Sequence, residues 1–150
     1  MWETQYQKII KIFESYIGKR VAENSKLGYQ CVAWVKQFAQ EMRSPIGTFW
    51  WSAYSGWSTG RPFRNTKWKR IDYKKWLVPT AWDIIFFWPT QSNPYWHVAI
   101  CDGGSTPDLL KIVEQNAWSG NGDGKWENAI KRSSLPYDKR GKCLGWYTIQ

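Results

Sequence analysis

The spacing of apolar residues changes partway along the chain, and this constrains the fold more than any other feature. Before Asp83 apolar residues recur at helical spacing; after it they fall in short continuous or alternating runs between Pro, Gly and Asn. Helices first and strands after is the order of an α+β domain with an antiparallel sheet, not of a wound α/β sheet. Residues 3–17 predict a first helix, with Tyr6, Ile9, Ile10, Phe13 and Ile17 on one face and Gly18 ending it. A second helix is predicted from about Gln30 to Met42, buried through Val32, Val35, Phe38, Ala39 and Met42 and stopped by Pro45 and Gly47. Residues 44–66 have no clear period and predict an irregular loop holding Phe49, Trp50, Trp51, Tyr54 and Trp57. A short strand is expected near Trp68, followed by strands at Ile84–Trp88, Trp96–Cys101, Leu110–Asn116 and Leu144–Ile149.

A chain of 150 residues suits one domain, 1–150, with a core large enough to need neither metal nor disulfide, and a monomer is expected. The excess of Lys+Arg (21) over Asp+Glu (12) gives a net charge of +9, which favours an anionic partner. No nucleic-acid recognition signature accompanies that charge, so nucleic acid is not the expected partner. No apolar run approaches the length of a membrane span, and the N-terminus lacks the layout of a signal peptide. The three cysteines, Cys31, Cys101 and Cys143, have no CxxC or His-rich neighbourhood, so zinc is not indicated. No essential disulfide is expected, with a Cys101–Cys143 pair left open.

The chain has one histidine, His97, on an alternating run. Side chains alternate along a strand, so His97, Ala99 and Cys101 share a face, as do Leu110, Ile112, Glu114 and Asn116. The intervening segment, Asp102–Leu109, carries Gly103, Gly104 and Pro107 and predicts a hairpin. One register pairs 97 with 114; the other pairs 97 with 116. Both keep His97, Glu114 and Asn116 on one face within cross-strand reach. Cys31 stands at the start of the second helix, where the helix dipole and free N–H groups favour the nucleophilic thiolate. Thiol, imidazole, carboxylate and amide are the groups of a cysteine hydrolase.

These residues are similar to a known family. Gly28-Tyr29-Gln30-Cys31-Val32-Ala33-Trp34-Val35 resembles the nucleophile motif of the CHAP domain, the cysteine, histidine-dependent amidohydrolase/peptidase. Asp83-Ile84-Ile85-Phe86-Phe87, His97-Val98-Ala99-Ile100, Val113-Glu114-Gln115-Asn116 and Leu144-Gly145-Trp146-Tyr147 resemble its later blocks in the same order, so the likeness runs from about residue 20 to 149. The resemblance implies a papain-like α+β fold, with N-terminal helices packed on a C-terminal antiparallel sheet. It also implies cleavage of an amide bond in bacterial peptidoglycan, as in phage endolysins and wall autolysins. Where the family usually has Gly-Asp, this chain has Trp82-Asp83, so that turn must differ. Some members bind calcium through acidic residues before the cysteine. Here that stretch is Ala22-Glu23-Asn24-Ser25-Lys26-Leu27, and no calcium is expected.

On this reading Cys31 is the nucleophile, His97 the general acid and base, Glu114 the primary orienting group and Asn116 the second. Gln30 and the Cys31 N–H are oxyanion donors. No metal or cofactor is expected. Trp50, Trp51 and Trp57 are candidates to line a groove and stack on sugars. The expected partners are peptidoglycan and anionic wall polymers. With no signal peptide, the expected route to the wall is release from the host cytoplasm as a phage lysin, or carriage on a virion. The alternative is a non-catalytic wall- or glycan-binding module of the same fold.

Overall fold

In the computed structural model, residues 3–21, 31–47, 52–90, 96–115 and 129–149 are described. Helix α1, Gln5–Tyr16, opens with a reciprocal cap: the Thr4 hydroxyl accepts from the Gln7 N–H (3.1 Å) while the Gln7 side chain accepts from the Thr4 N–H (2.9 Å). Its buried residues are Ile9, Ile12 and Phe13, whereas Tyr6 is exposed. The buried stripe keeps Ile9 and Phe13 of the predicted face, with Ile17 packed against the core, but takes in Ile12 in place of Tyr6. Docking on α2 decides it: Phe13 stacks on Phe38 (5.4 Å between ring centroids), and the Tyr16 hydroxyl donates to Glu41 (2.7 Å). Gly18 takes the left-handed conformation (φ 85°) and donates its N–H to Ile130, ending the helix as anticipated.

Helix α2, Cys31–Glu41, is buried along Cys31–Val35 and again at Phe38 and Ala39, because it lies between α1 and the sheet. Its Trp34 is fully buried and donates its indole N–H to the Val113 carbonyl (3.1 Å), tying the helix to a central strand. Within the predicted irregular loop there is a helix, α3, Ala53–Thr59, capped by Ser52 and ended by Gly60 at φ 60°. Seven residues are too short to show a helical period; only Ala53, Gly56 and Trp57 face inward.

The strands are β1 Trp68–Asp72, β2 Ile84–Phe87, β3 His97–Cys101, β4 Leu110–Glu114, β5 Lys131–Leu135 and β6 Cys143–Ile149. They form one antiparallel sheet in the order β1-β6-β2-β3-β4-β5. The fold is therefore α+β, as the change of period implied, with three α-helices against six strands among the described residues. Strand β5 was not anticipated, since its Lys-Arg-Ser-Ser-Leu sequence is that of an exposed edge strand with little apolar signal. Both faces of the sheet are covered, which is why β2 and β3 read as continuous apolar runs. One face packs under the helices through Ile84, Phe86, Val98, Ile100, Val113 and Tyr147. The other forms a second core of Ile85, Phe87, Ala99, Cys101, Leu110, Ile112 and Trp146 under Leu135 and Tyr137.

Candidate active site

Each candidate residue sits at the end of an element. Cys31 is the first residue of α2, His97 the first of β3 and Glu114 the last of β4. The strand register pairs Ile100 with Val113 and Cys101 with Ile112, the second of the two expected registers. Continued outward, it sets Glu114 opposite Ala99 and therefore diagonal to His97, on the same face. The imidazole Nε2 and Glu114 Oε1 are 2.9 Å apart. His97 is 1% exposed and Glu114 wholly buried, and the imidazole stacks on Phe87, its partner across the β2–β3 pair (5.8 Å, 29°).

A fourth residue, absent from the sequence reading, completes the cluster. Arg140 forks onto Glu114, donating from Nε to Oε1 (3.0 Å) and from Nη2 to Oε2 (2.9 Å). Its side chain is 10% exposed, so the pair is shielded from water. Burial works to raise the Glu114 pKa, but hydrogen bonds and charge from His97 and Arg140 outweigh it and hold the carboxyl well below its usual range. An ionised carboxylate only accepts hydrogen bonds, so Nε2 carries the proton in the His97–Glu114 bond. That leaves Nδ1 as the nitrogen not engaged by the carboxylate. It is buried and has no hydrogen-bond partner among the described residues.

The Cys31 thiol is the other group that influences the ring. Burial pulls the imidazole pKa down; hydrogen bonding and charge from Cys31 and Glu114 more than reverse this and raise it to about 9. Cys31 thus influences the ring electrostatically, and among the described residues no hydrogen bond of ordinary geometry engages Nδ1. Because His97 is the only histidine, its titration can be followed by NMR without assignment ambiguity. The imidazole is expected to stay protonated to about pH 9, and to titrate lower in a Cys31→Ala protein. A raised folded-state pKa stabilises the fold fully below the ordinary value of 6.5, and this contribution is lost as the pH rises through about 9. An imidazole titrating near or below 6.5 in the native protein would contradict this arrangement.

Gln115, on the opposite face from Glu114, is a structural staple. Its side-chain oxygen accepts from the Val21 N–H (2.6 Å) and its amide donates to the Val21 carbonyl (2.9 Å), fixing the chain where it leaves α1 in the direction of Cys31. Asp83 is a turn residue despite the preceding tryptophan: its carboxylate accepts from the Thr80 N–H (2.8 Å), and Trp82 takes a left-handed conformation (φ 66°). Cys101 and Cys143 are free thiols in the second core, pushed up by burial to about 11 and about 12. Among the described residues no group of three His, Cys, Asp or Glu is placed to hold a metal ion, and no helix is long and apolar enough to cross a membrane.

Gln30, Trp50, Trp51 and Asn116 lie outside the described residues. Trp57 does not line a groove. It is 6% exposed, packed against Phe86 and Tyr147, with the Arg70 guanidinium 3.7 Å from its ring centroid. The reason is its inward position on α3, a helix that the sequence did not reveal. Two exposed aromatics, Trp88 and Tyr54, instead contact Trp96, the residue before His97.

Solved structures share this fold. The endolysin LysIME-EF1 matches with a TM-score of 0.71 at 17% identity, over 98% of this chain and 65% of that one. Ly7917 matches with a TM-score of 0.62 at 18% identity, over 97% and 63%. An N-acetylmuramoyl-L-alanine amidase from Staphylococcus aureus matches with a TM-score of 0.54 at 16% identity, over 81% and 31%. At these identities the likeness is one of fold, and the chain spans less than two thirds of each structure's length. No protein-family model matches the sequence, and no curated protein matches it.

Proposed function

We propose that this chain is a peptidoglycan hydrolase of the CHAP type, which cleaves an amide bond through Cys31. The observation that carries the reading is the polarity of His97. Its Nε2 is bound to a carboxylate kept ionised by Arg140, while its buried Nδ1 is left for the thiol of a residue opening a helix. The solved structures sharing the fold include an endolysin and an N-acetylmuramoyl-L-alanine amidase, which supports the choice of substrate.

In this mechanism the Cys31 thiolate adds to the amide carbonyl carbon while His97 is the imidazolium. The Cys31 N–H and the Gln30 side chain stabilise the oxyanion. The tetrahedral intermediate collapses, the C–N bond breaks, and Nδ1 gives its proton to the leaving amine. Water then loses a proton to Nδ1 and attacks the thioester, releasing the carboxylate product and the thiol. Glu114 orients the ring throughout, with Asn116 as its second support. The cut is at the sugar–peptide junction or within the stem or cross-bridge.

Anionic wall polymers are the second proposed partner. Arg43 and Lys67, neither in an ion pair among the described residues, line a 420 Å³ cavity with Ser44, Asn65 and Trp68, at the far end of α2 from Cys31. The enzyme acts as a monomer and reaches the wall after release from the host cytoplasm or on a virion.

Thiol alkylation combined with mass spectrometry tests the reading. At neutral pH one label is expected per chain, on Cys31, because burial holds Cys101 and Cys143 as unreactive thiols near 11 and 12. Unlabelled protein should release fragments with new amine and carboxylate ends from purified peptidoglycan, and those ends identify the bond. Labelled protein should release none. Undiminished cleavage by fully labelled protein would exclude the cysteine mechanism, and wall binding without new ends would favour the non-catalytic module.

A further inference from the structure

Beside His97 three aromatic rings form a continuous row. Trp96, the preceding residue, lies 4.8 Å from Trp88 on one side and 4.8 Å from Tyr54 on the other. Trp88 is 50% exposed and Tyr54 53% exposed, while Trp96 between them is half-buried and packs against the core under the helices, so the two outer rings form a surface ledge anchored by the third. It is anchored to the candidate site from both strands: Trp96 adjoins His97, and Trp88 follows Phe87, the residue stacked on the imidazole.

The backbone beneath the ledge is strained for the residue it carries. Trp96 has φ 68°, a left-handed conformation that glycine adopts freely and a bulky side chain adopts only under strain. A glycine at this position would relieve the strain but would lose both ring contacts. The strained backbone holds the indole against the core and against two rings that remain half exposed.

The geometry points to a carbohydrate subsite: the ledge of Tyr54, Trp96 and Trp88 binds the glycan strand of the substrate by stacking on sugar-ring faces. This rests on the peptidoglycan reading above. The occupant follows from chemistry and position. A pyranose presents an apolar C–H face flanked by hydroxyls, which suits half-exposed aromatic rings; Trp88 is tilted by 37° and Tyr54 by 71° to the Trp96 plane, so each outer ring offers its own stacking surface. Trp96 directly precedes the histidine that would protonate the leaving amine, so a strand held on the ledge would carry its attached peptide toward that end of β3. It also assigns the sugar contact to aromatics other than Trp57, which is buried.

Calorimetry with soluble glycan strands stripped of peptide tests the subsite without requiring cleavage. The host protein is the Cys31→Ala chain. Trp88→Ala and Trp96→Gly are expected to weaken binding about tenfold or more each. The second removes the ring while relieving the backbone; because that ring packs against the core, its urea unfolding is measured alongside, and Trp88→Ala, at a half-exposed ring, is the decisive variant. Trp76→Ala is the control: Trp76 is 75% exposed, lies under the Lys75 ammonium and is not part of the ledge, and its loss should leave binding unchanged. No binding of stripped strands by the Cys31→Ala chain, or equal binding by the ledge variants, would overturn the proposal. So would a dimer in sedimentation that Trp88→Ala dissolves, since the ledge would then be a self-contact. Glycan binding that depends on the ledge, in a chain whose Cys31-bearing form cuts no wall, would sustain the subsite and remove the hydrolase reading instead.

Discussion

Replacement of Cys31 by alanine is expected to lower the rate of peptidoglycan hydrolysis by about 10⁴-fold or more, as for the loss of a nucleophile whose partners act with it as a unit. The reasoning separates chemistry from folding. Cys31 is the first residue of α2, and alanine is a good helix former, so the helix should persist and the variant should stay folded, losing only the share of the His97 stabilisation that the thiol supplies. What it loses is the only group in the cluster able to form the acyl intermediate. His97 and Glu114 remain and can at most activate water against an unactivated amide. Cys31→Ser should recover little, because a hydroxyl is far less readily ionised than a thiol beside the same imidazole. Release of amine ends from purified walls measures the rate, and urea unfolding measures the fold. A Cys31→Ala protein that still cuts at the parent rate would show that the nucleophile lies elsewhere.

The second large effect is expected at Glu114. Changing it to glutamine keeps the shape and removes the charge that holds three side chains together. Arg140, 10% exposed, is left as a shielded cation facing an amide. Breaking one side of such a pair typically costs about 3–5 kcal/mol. The imidazole loses an acceptor that fixed its proton on Nε2, and a ring free to present the wrong tautomer is expected to lose about 10³–10⁴ in rate. The pH dependence carries a sign. Glu114 has a folded-state pKa below its ordinary value of 4.5, so its contribution to stability is full above that value and fades as the pH falls through the depressed one. The stability gap between parent and variant in urea should therefore be widest above pH 4.5 and close in strong acid. The His97 titration should also move down in the variant, since Glu114 raises it. Parent-like activity in a stable Glu114→Gln protein would remove Glu114 from the mechanism.

The parts of this molecule that were legible in the sequence are those where one local rule decides. Alternation alone put His97 and Glu114 on one face in either register, and the structure brings them to 2.9 Å. Choosing the register required the hairpin itself. Arg140 was illegible for a different reason. It sits in the turn Lys139-Arg140-Gly141-Lys142, where cations are ordinary solvated residues, and only packing of that turn against the end of β4 turns it inward onto Glu114. Helix α3 and strand β5 were missed because seven residues and a polar edge show no apolar period. The aromatic residues divided on the same ground: composition marks them all alike, and only α3 decides that Trp57 goes inward while Tyr54 stays out.

Strand β6 has a consequence for how the molecule can be made. It runs between β1 and β2, so β1, some 75 residues upstream, touches the rest of the sheet only through it. The turn that delivers Arg140 immediately precedes it. During synthesis, then, the helices and β2–β5 emerge while β1 has nothing to pair with and Glu114 has no Arg140. A ribosome that stops before Arg140 leaves a chain with an open sheet and a Glu114 without its guanidinium partner. Vectorial synthesis of this fold therefore completes the His97–Glu114–Arg140 cluster only as the closing strand emerges.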